Sequence, residues 1–217
     1  MATPSDRVRA LAREGKVDEA QAARLLGAME DKPAERRGGV ALLWNPFDRF
    51  GGEAAAIAGL VLVGLGAIAE RFGVRYDGFL DLHVARTVAS PRTIAVDAFA
   101  AWVLPALVLW GYTFAVARRG RIVDFFGVTG LARLPQVVAA APLAALVPSI
   151  DPQVKTMTPS LAVMIVVALA CVGWNITLLY NGFKNASGLR GSKLVAGFIA
   201  MLVVSEVLSK IALYLLA

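Results

Sequence analysis

Residues 194–217 read LVAGFIAMLVVSEVLSKIALYLLA, and this apolar stretch decides the fold of the chain. At a rise of roughly 1.5 Å per residue, a helix of this length crosses a bilayer core of roughly 30 Å. Glu206 falls near the middle of the stretch, and Lys210 follows one helical turn later on the same face. Because a charge at that depth costs about 2.5–3.5 kcal/mol, we expect this face to meet other helices or water rather than lipid.

Three interpretations of Glu206 and Lys210 are open. The two side chains can neutralise one another and fix the packing of the helix. They can serve transport or a proton relay inside the bundle. Alternatively, Lys210 extends outward to the membrane surface while Glu206 is protonated.

The composition of the chain is that of a membrane protein. Of its 217 residues, 58% are hydrophobic and 18% are charged, and the mean hydropathy is +0.65. The net charge of +6 does not indicate a nucleic-acid partner, because the charges sit mainly near the N-terminus and in short loops beside apolar runs. The orientation bias of membrane insertion explains basic loops in those places. The expected surroundings are a lipid bilayer, and no cofactor is predicted.

Five apolar stretches predict five transmembrane helices. They lie at about residues 54–69, 94–117, 134–148, 159–183 and 194–217. The predicted fold class is all-α: a polytopic membrane helix bundle of five transmembrane helices with a small N-terminal cytoplasmic helical hairpin. The predicted division is residues 1–37 for the hairpin and linker, 38–53 for an interfacial segment rich in aromatic residues, and 54–217 for the bundle. Pro105, inside the second stretch, should kink that helix and free a backbone carbonyl.

The basic residues predict the orientation. With the N-terminus inside, the inner segments carry 15 Lys and Arg residues and the outer loops carry 5, leaving Arg133 and Lys210 aside. The positive-inside bias therefore favours a cytoplasmic N-terminus and an external C-terminus.

Residues 3–30 predict a soluble helical hairpin. Gly15 is suited to end the first helix in a left-handed cap, and Asp18 is suited to begin the second. Residues with helical spacing form the predicted interaction face, which comprises Val8, Leu11, Leu25, Leu26 and Met29. A unit this small seldom folds alone, so the face is expected to meet a cytoplasmic protein or a second copy of the chain. A solvated tether is the alternative.

Residues 121–148, RIVDFFGVTGLARLPQVVAAAPLAALVP, permit two interpretations. As one span they would bury Arg133. As two pieces, residues 121–132 form an amphipathic helix at the interface and the membrane helix begins near Leu134. We favour the second interpretation, because it leaves Arg133 at the lipid headgroups. Asp124 is a further polar candidate in this segment.

Polar residues in the fourth stretch are the remaining candidates. Asn175 and Asn181 stand in its second half, where such side chains usually hydrogen-bond a neighbouring helix; a ligand-contacting stripe is the alternative. Asp77, Asp81 and His83 could share a metal ion, but one histidine and two carboxylates in a loop are a weak signal, and a solvated loop is expected. No metal is predicted.

Two segments carry resemblances to known families. RVRALAREGKVDEAQAARLLGAME resembles the short helix-turn-helix units, called SHOCT-like, of bacterial membrane and stress proteins, which implies oligomerisation or protein interaction. RIVDFFGVTGLARLP and WNITLLYNGFKNASGLRGSKLVAGFIA are similar to the third-span lead-in and the fourth and fifth spans of the Yip family, five-span membrane proteins named for interaction with Rab-type GTPases. This second resemblance covers about residues 50–217.

The Yip resemblance implies a bacterial-type member that serves as a non-enzymatic membrane scaffold and has no catalytic residue. The charged hairpin at the N-terminus differs from the segment found in eukaryotic members, so a Rab partner is not expected. The sequence holds no Gly-x-Ser-x-Gly, His-Glu-x-x-His or glycine-rich phosphate loop, in agreement with a protein that is not an enzyme. A transporter of ions, small molecules or lipids that uses the intramembrane polar residues is the alternative.

Overall fold

The helices of the chain fall into two units, Met1–Gly39 and Val40–Ala217. The computed structural model describes residues 4–30, 39–76, 78–81, 83–84, 89–146 and 158–216. The two units are taken in turn.

The N-terminal unit is a pair of helices, α1 (Pro4–Arg13) and α2 (Glu19–Glu30). Gly15 adopts a φ of 67°, the left-handed conformation that ends a helix, and Asp18 accepts a hydrogen bond of 2.6 Å from the backbone N–H of Gln21. The predicted helical hairpin and both of its cap residues are confirmed.

In the described residues, the larger unit contains a short helix at its start, the longer helices of a bundle and one pair of very short strands. Its elements in chain order are α3 (Ala41–Trp44), α4 (Gly52–Ala69), β1 (Val74–Arg75), β2 (His83–Val84), α5 (Pro91–Ala98), α6 (Leu104–Ala117), α7 (Ile122–Leu131), α8 (Leu134–Leu146), α9 (Pro159–Ser187) and α10 (Gly191–Leu216). The strands pair antiparallel, with Val74 opposite Val84 and Arg75 opposite His83.

Within the described residues, five helical segments are long and apolar enough to cross a membrane. They are Gly52–Phe72, Pro91–Ala117, Ile122–Ala145, Pro159–Ser187 and Gly191–Leu216. The predicted all-α bundle of five membrane helices is confirmed. Large apolar side chains on the outer surface of α4, such as Ile57, Val61 and Ile68, are more than half exposed, as expected of a face that meets lipid.

The second span is continuous, but its hydrogen bonding is irregular. A π-helical turn, Phe99–Val103, joins α5 to α6, and Pro105 stands just beyond it. Proline has no N–H, so the carbonyl of Ala101, four residues earlier, receives no helical hydrogen bond from Pro105. That Pro105 kinks this helix and frees a backbone carbonyl stays a prediction.

The third span corrects the interpretation of residues 121–148. Helices α7 and α8 are separate, as the two-piece interpretation required, but together they form the span Ile122–Ala145. Helix α7 lies inside the bundle rather than at the interface, because most of its residues from Phe125 to Leu131 are buried. Arg133, at the junction, is only 5% exposed, so its placement at the lipid headgroups is wrong. Small residues let α7 enter the bundle.

Helices α4 and α7 approach until their backbones nearly touch. A Cβ atom added at Gly59 would lie 2.9 Å from the Cα of Gly130, and one added at Gly127 would lie 2.7 Å from the Cβ of Ala55. Spans lack a hydrophobic force between them, so close van der Waals contact between small residues is what holds such a pair together. This contact places α7 at the centre of the unit, against α4, α6 and α9.

Because α4 and α7 are in close contact, a glycine-to-alanine substitution should change thermal stability differently at Gly59 and at Gly64. Gly59→Ala forces two backbones apart and should lower thermal stability in detergent by about 1–3 kcal/mol. Gly64→Ala, on the same helix, has open space around its Cβ and should be neutral or slightly stabilising. Thermal unfolding of both purified variants beside the unaltered protein is the measurement. Equal effects at the two glycines would contradict this packing.

Candidate functional site

The loop after α4 is hydrogen-bonded to two parts of the bundle, helix α10 and the α7–α8 junction. The backbone N–H of Phe79 donates to Ser209 Oγ at 3.2 Å, and that of Leu80 donates to Glu206 Oε2 at 3.0 Å. The carbonyl oxygen of Gly78 accepts from Arg133 at 3.4 Å. Polar side chains of α10 and of the α7–α8 junction therefore hold this loop through its backbone.

Lys210 lies closer to the loop than to Glu206. Its Nζ is 2.6 Å from Asp81 Oδ2 and 3.9 Å from Glu206 Oε1. The side chains of Lys210 and Asp81 are 42% and 50% exposed, so the contribution of their pairing to stability is about 1 kcal/mol or less. The structure brings Glu206 and Lys210 together as neighbours, and it adds an acidic partner from the loop that sequence reasoning had considered only for a metal.

Arg133 is a buried hydrogen-bonding centre at the break between α7 and α8. Its guanidinium donates to Gln136 Oε1 at 2.9 Å, to the carbonyl of Gly78 and to the carbonyl of Ala101. The last of these stands four residues before Pro105, which has no N–H to donate to it. A buried charge and a buried unpaired carbonyl thus satisfy one another.

A second group of polar side chains lies beside Arg133 around a small cavity. Asp97, fully buried in α5, accepts a hydrogen bond of 2.8 Å from Arg75 of β1. Glu70, 3% exposed at the end of the first span, lines the same cavity as Asp97. Tyr76 donates its hydroxyl to the carbonyl of Gln136 at 3.3 Å, and burial raises the pKa of Tyr76 above its usual range.

The asparagines of the fourth span both bind irregular backbone. Asn175 Nδ2 donates to the carbonyl of Ala132, at the α7–α8 break, at 2.8 Å. Asn181 Nδ2 donates to the carbonyl of Trp44, at the end of α3, at 2.9 Å, and Trp174 donates to the neighbouring carbonyl of Leu43. The contacts of Asn175 and Asn181 are of the packing kind expected for polar residues within spans.

Asp124 stands apart from these groups. It is half-buried in the first turn of α7, where its carboxylate faces Gly52 at the start of α4. Nearby, Arg121 pairs with Glu53 at 3.0 Å, but both side chains are largely exposed. This region is at the opposite end of α4 from Glu70, so the structure does not bring Asp124 to the cavity.

The metal hypothesis for the loop falls partly outside the described residues, which exclude Asp77 and the side chain of His83. Among the side chains that the structure describes, no group of three His, Cys, Asp or Glu residues is close enough to hold a metal ion.

The apolar face of the hairpin is only partly covered. Ala22 is buried, and Val8 and Leu26 are half-buried. Leu11 is 39% exposed and Leu25 is 47% exposed. The side chain of Met29, the fifth member of the predicted interaction face, lies outside the described residues.

Sequence reasoning missed the cavity group as a site. It singled out none of the residues of this group, which are Glu70, Arg75, Tyr76, Asp97 and Gln136. One signal was available: Glu70 ends the first span and Asp97 begins the second, so both face the same side of the membrane. Ionisable residues at such places mark a site by default, because they are costly there.

Comparison with known proteins identifies one similarity. The family model described as "Yip1 domain" matches residues 43–211, which include every membrane span in whole or in large part. No curated protein matches the chain, and no solved structure does.

The contact between Arg133 and Ala101 should appear as coupling between two substitutions. Arg133→Met should destabilise the protein by about 1–3 kcal/mol for each oxygen that it leaves unpaired. Pro105→Ala restores an N–H for the Ala101 carbonyl, so Arg133→Met should cost less in that background. Thermal unfolding of the two single variants and the double variant gives the coupling energy. Arg71→Met, at an exposed arginine, is the control, and strictly additive losses would contradict the contact.

Proposed function

The chain belongs to the Yip1 domain family, and we propose that it is a non-enzymatic integral membrane scaffold or adaptor that recruits a cytoplasmic partner, or a second copy of itself, through residues 3–30. Its membership of this family, over residues 43–211, is the observation that carries the proposal. The family connection supports a role through protein contacts rather than through chemistry.

The contacts of the polar residues within the spans favour a scaffold. Asn175, Asn181 and Arg133 each donate to backbone carbonyls of another segment. Such bonds hold irregular backbone in place and leave these side chains little freedom to bind a passing ligand. Their role in the proposal is to keep the bundle in one arrangement.

The hairpin supports the adaptor part of the proposal. It is a unit of its own, and Leu11 and Leu25 keep much of their apolar surface exposed. Two helices of this size bury little of their own surface, so an apolar partner would stabilise them. The SHOCT-like pattern in the same residues points to protein interaction as well.

The transporter alternative relies on the polar residues within the spans, namely Glu206, Lys210, Asn175 and Asn181, and the cavity that Glu70 and Asp97 line is the observation that favours it. The cavity there has a volume of about 30 Å³. This is room for one or two water molecules but not for an organic molecule or a lipid. An ion or a proton is thus the cargo that this alternative would require.

We propose the bacterial cytoplasmic membrane as the location, with the N-terminus in the cytoplasm and the C-terminus outside. The asymmetry of 15 against 5 basic residues supports this orientation. In that arrangement Glu70, Asp97 and Glu206 belong to the outer half of the bundle.

The adaptor role is tested at the hairpin. We expect Leu11→Ser together with Leu25→Ser to abolish self-association or the retention of a specific protein, because the substitutions remove apolar surface. Ala10→Ser together with Ala23→Ser, at exposed positions of the same helices, is the matched control. The measurement is purification in mild detergent followed by mass determination and identification of co-purifying proteins. Identical mass and partners in all three proteins, and in a protein that lacks residues 1–37, would refute the role.

The orientation is tested by labelling intact cells. In a Cys171→Ala background, Ser90→Cys should react with an impermeant maleimide, whereas Asn185→Cys should react only after the membrane is opened. Both positions are exposed and neutral, so the substitutions do not alter the charge bias. The reverse pattern of labelling would place the N-terminus outside.

A further inference from the structure

The cavity beside Arg133 has walls of two kinds. Apolar side chains of α4, α5, the π-helical turn and α8 form most of it, among them Leu62, Val63, Trp102 and Val137. Four polar side chains complete the lining: Glu70, Tyr76, Asp97 and Arg133. At about 30 Å³ the space suits one or two waters, so any species bound there is as small as a proton with its water.

Glu70 and Asp97 are placed so that they need a proton. Both are buried, and both line the same cavity of about 30 Å³. An ionised carboxylate only accepts hydrogen bonds, so two ionised carboxylates cannot bond to each other. Two negative charges in one small buried cavity also repel each other strongly. A single shared proton supplies the missing hydrogen-bond donor and removes one of the two charges.

Two buried oxygen atoms without a hydrogen-bond donor also indicate that the carboxyl pair binds a proton. Glu70 Oε2 and Asp97 Oδ1 are buried without a hydrogen-bond partner among the described residues. An unpaired polar atom away from water is costly, and an unpaired charge is more so. A proton on one carboxyl supplies the donor that this pair lacks.

The charged neighbours decide which carboxyl holds the proton. Arg75 donates to Asp97 Oδ2 at 2.8 Å, so Asp97 already has a charged donor. The guanidinium of Arg133 is engaged with Gln136 and with backbone carbonyls, and the hydroxyl of Tyr76 donates to the backbone of Gln136. Among the described residues, these groups from β1, the α7–α8 junction and the loop leave Glu70 as the carboxyl without a donor.

We propose that Glu70 and Asp97 form a proton-binding site, in which Glu70 holds one proton at neutral pH and donates it to Asp97. Water in the cavity exchanges this proton with the solution on the side of the β1–β2 loop. The site does not depend on the scaffold function, because it uses neither the hairpin nor any partner.

The test is infrared spectroscopy of the full-length protein in lipid nanodiscs at neutral pH. We expect a carbonyl stretching band of a protonated carboxyl that shifts when glutamate, but not aspartate, carries carbon-13 in its side-chain carboxyl. Transfer to D₂O should shift the band as well, because the proton exchanges. Glu70→Gln should remove the band, and Asp97→Asn should move it, because the acceptor changes.

Two control variants separate this site from other carboxyls. Glu206→Gln removes a carboxylate that accepts from Leu80, and Glu53→Gln removes one that is 80% exposed. Both should leave the band in place. The elution volume and helical circular dichroism of each variant verify its fold.

Several outcomes would overturn the proposal. Absence of the band in the unaltered protein would show that Glu70 is ionised. A band that persists in Glu70→Gln, or that disappears in Glu206→Gln, would assign the proton elsewhere. A band that Asp97→Asn leaves unmoved would show that the two carboxyls do not share it. If Glu70→Gln fails to fold, the isotope shift in the unaltered protein and the band of Asp97→Asn still decide.

Discussion

The bundle depends on one interaction, the hydrogen bond from the guanidinium of Arg133 to the carbonyl of Ala101. Within a bilayer no water is available to a backbone group, so each must find its partner in the protein. Pro105 withholds the helical donor from Ala101, and Arg133 brings a charge that needs acceptors. Each would be costly alone, and together they join the second span to the third. The loop after α4 supplies a further acceptor at Gly78, so the same side chain also fixes that loop.

The same constraint explains the other polar residues in the spans. Asn175 binds the carbonyl of Ala132 where α7 ends, and Asn181 binds the carbonyl of Trp44 where α3 ends. In each case the polar side chain of one span meets a place where the helix of another segment is interrupted. Glu70 and Asp97 are different, because they line one small cavity and do not bind a broken helix. This difference is why the first residues fit a scaffold and the carboxyl pair fits a bound proton.

Close contact between small residues makes the arrangement possible. Gly59 and Gly130 let α4 and α7 touch along their backbones, which carries α7 and the junction at Arg133 into the interior. The sequence interpretation gave weight to Arg133 and predicted an interfacial helix over residues 121–132. Gly127 and Gly130 in the same segment favoured burial, but their effect depends on a matching small residue in another span. Such a match cannot be read from one segment alone.

The sequence by itself determined the local properties of the chain. Lengths of apolar runs predicted the five spans and cap residues predicted the hairpin, because each depends on neighbours within a few residues. The tertiary structure decided which polar atoms meet: Arg133 with Ala101, Lys210 with Asp81, and Glu70 with Asp97. Lipid is as apolar as a leucine side chain, so hydropathy does not tell a face toward lipid from a face toward another helix. Shape and hydrogen bonding set the rotation and order of the helices. Only that arrangement decides which face of a helix meets lipid and which meets another helix.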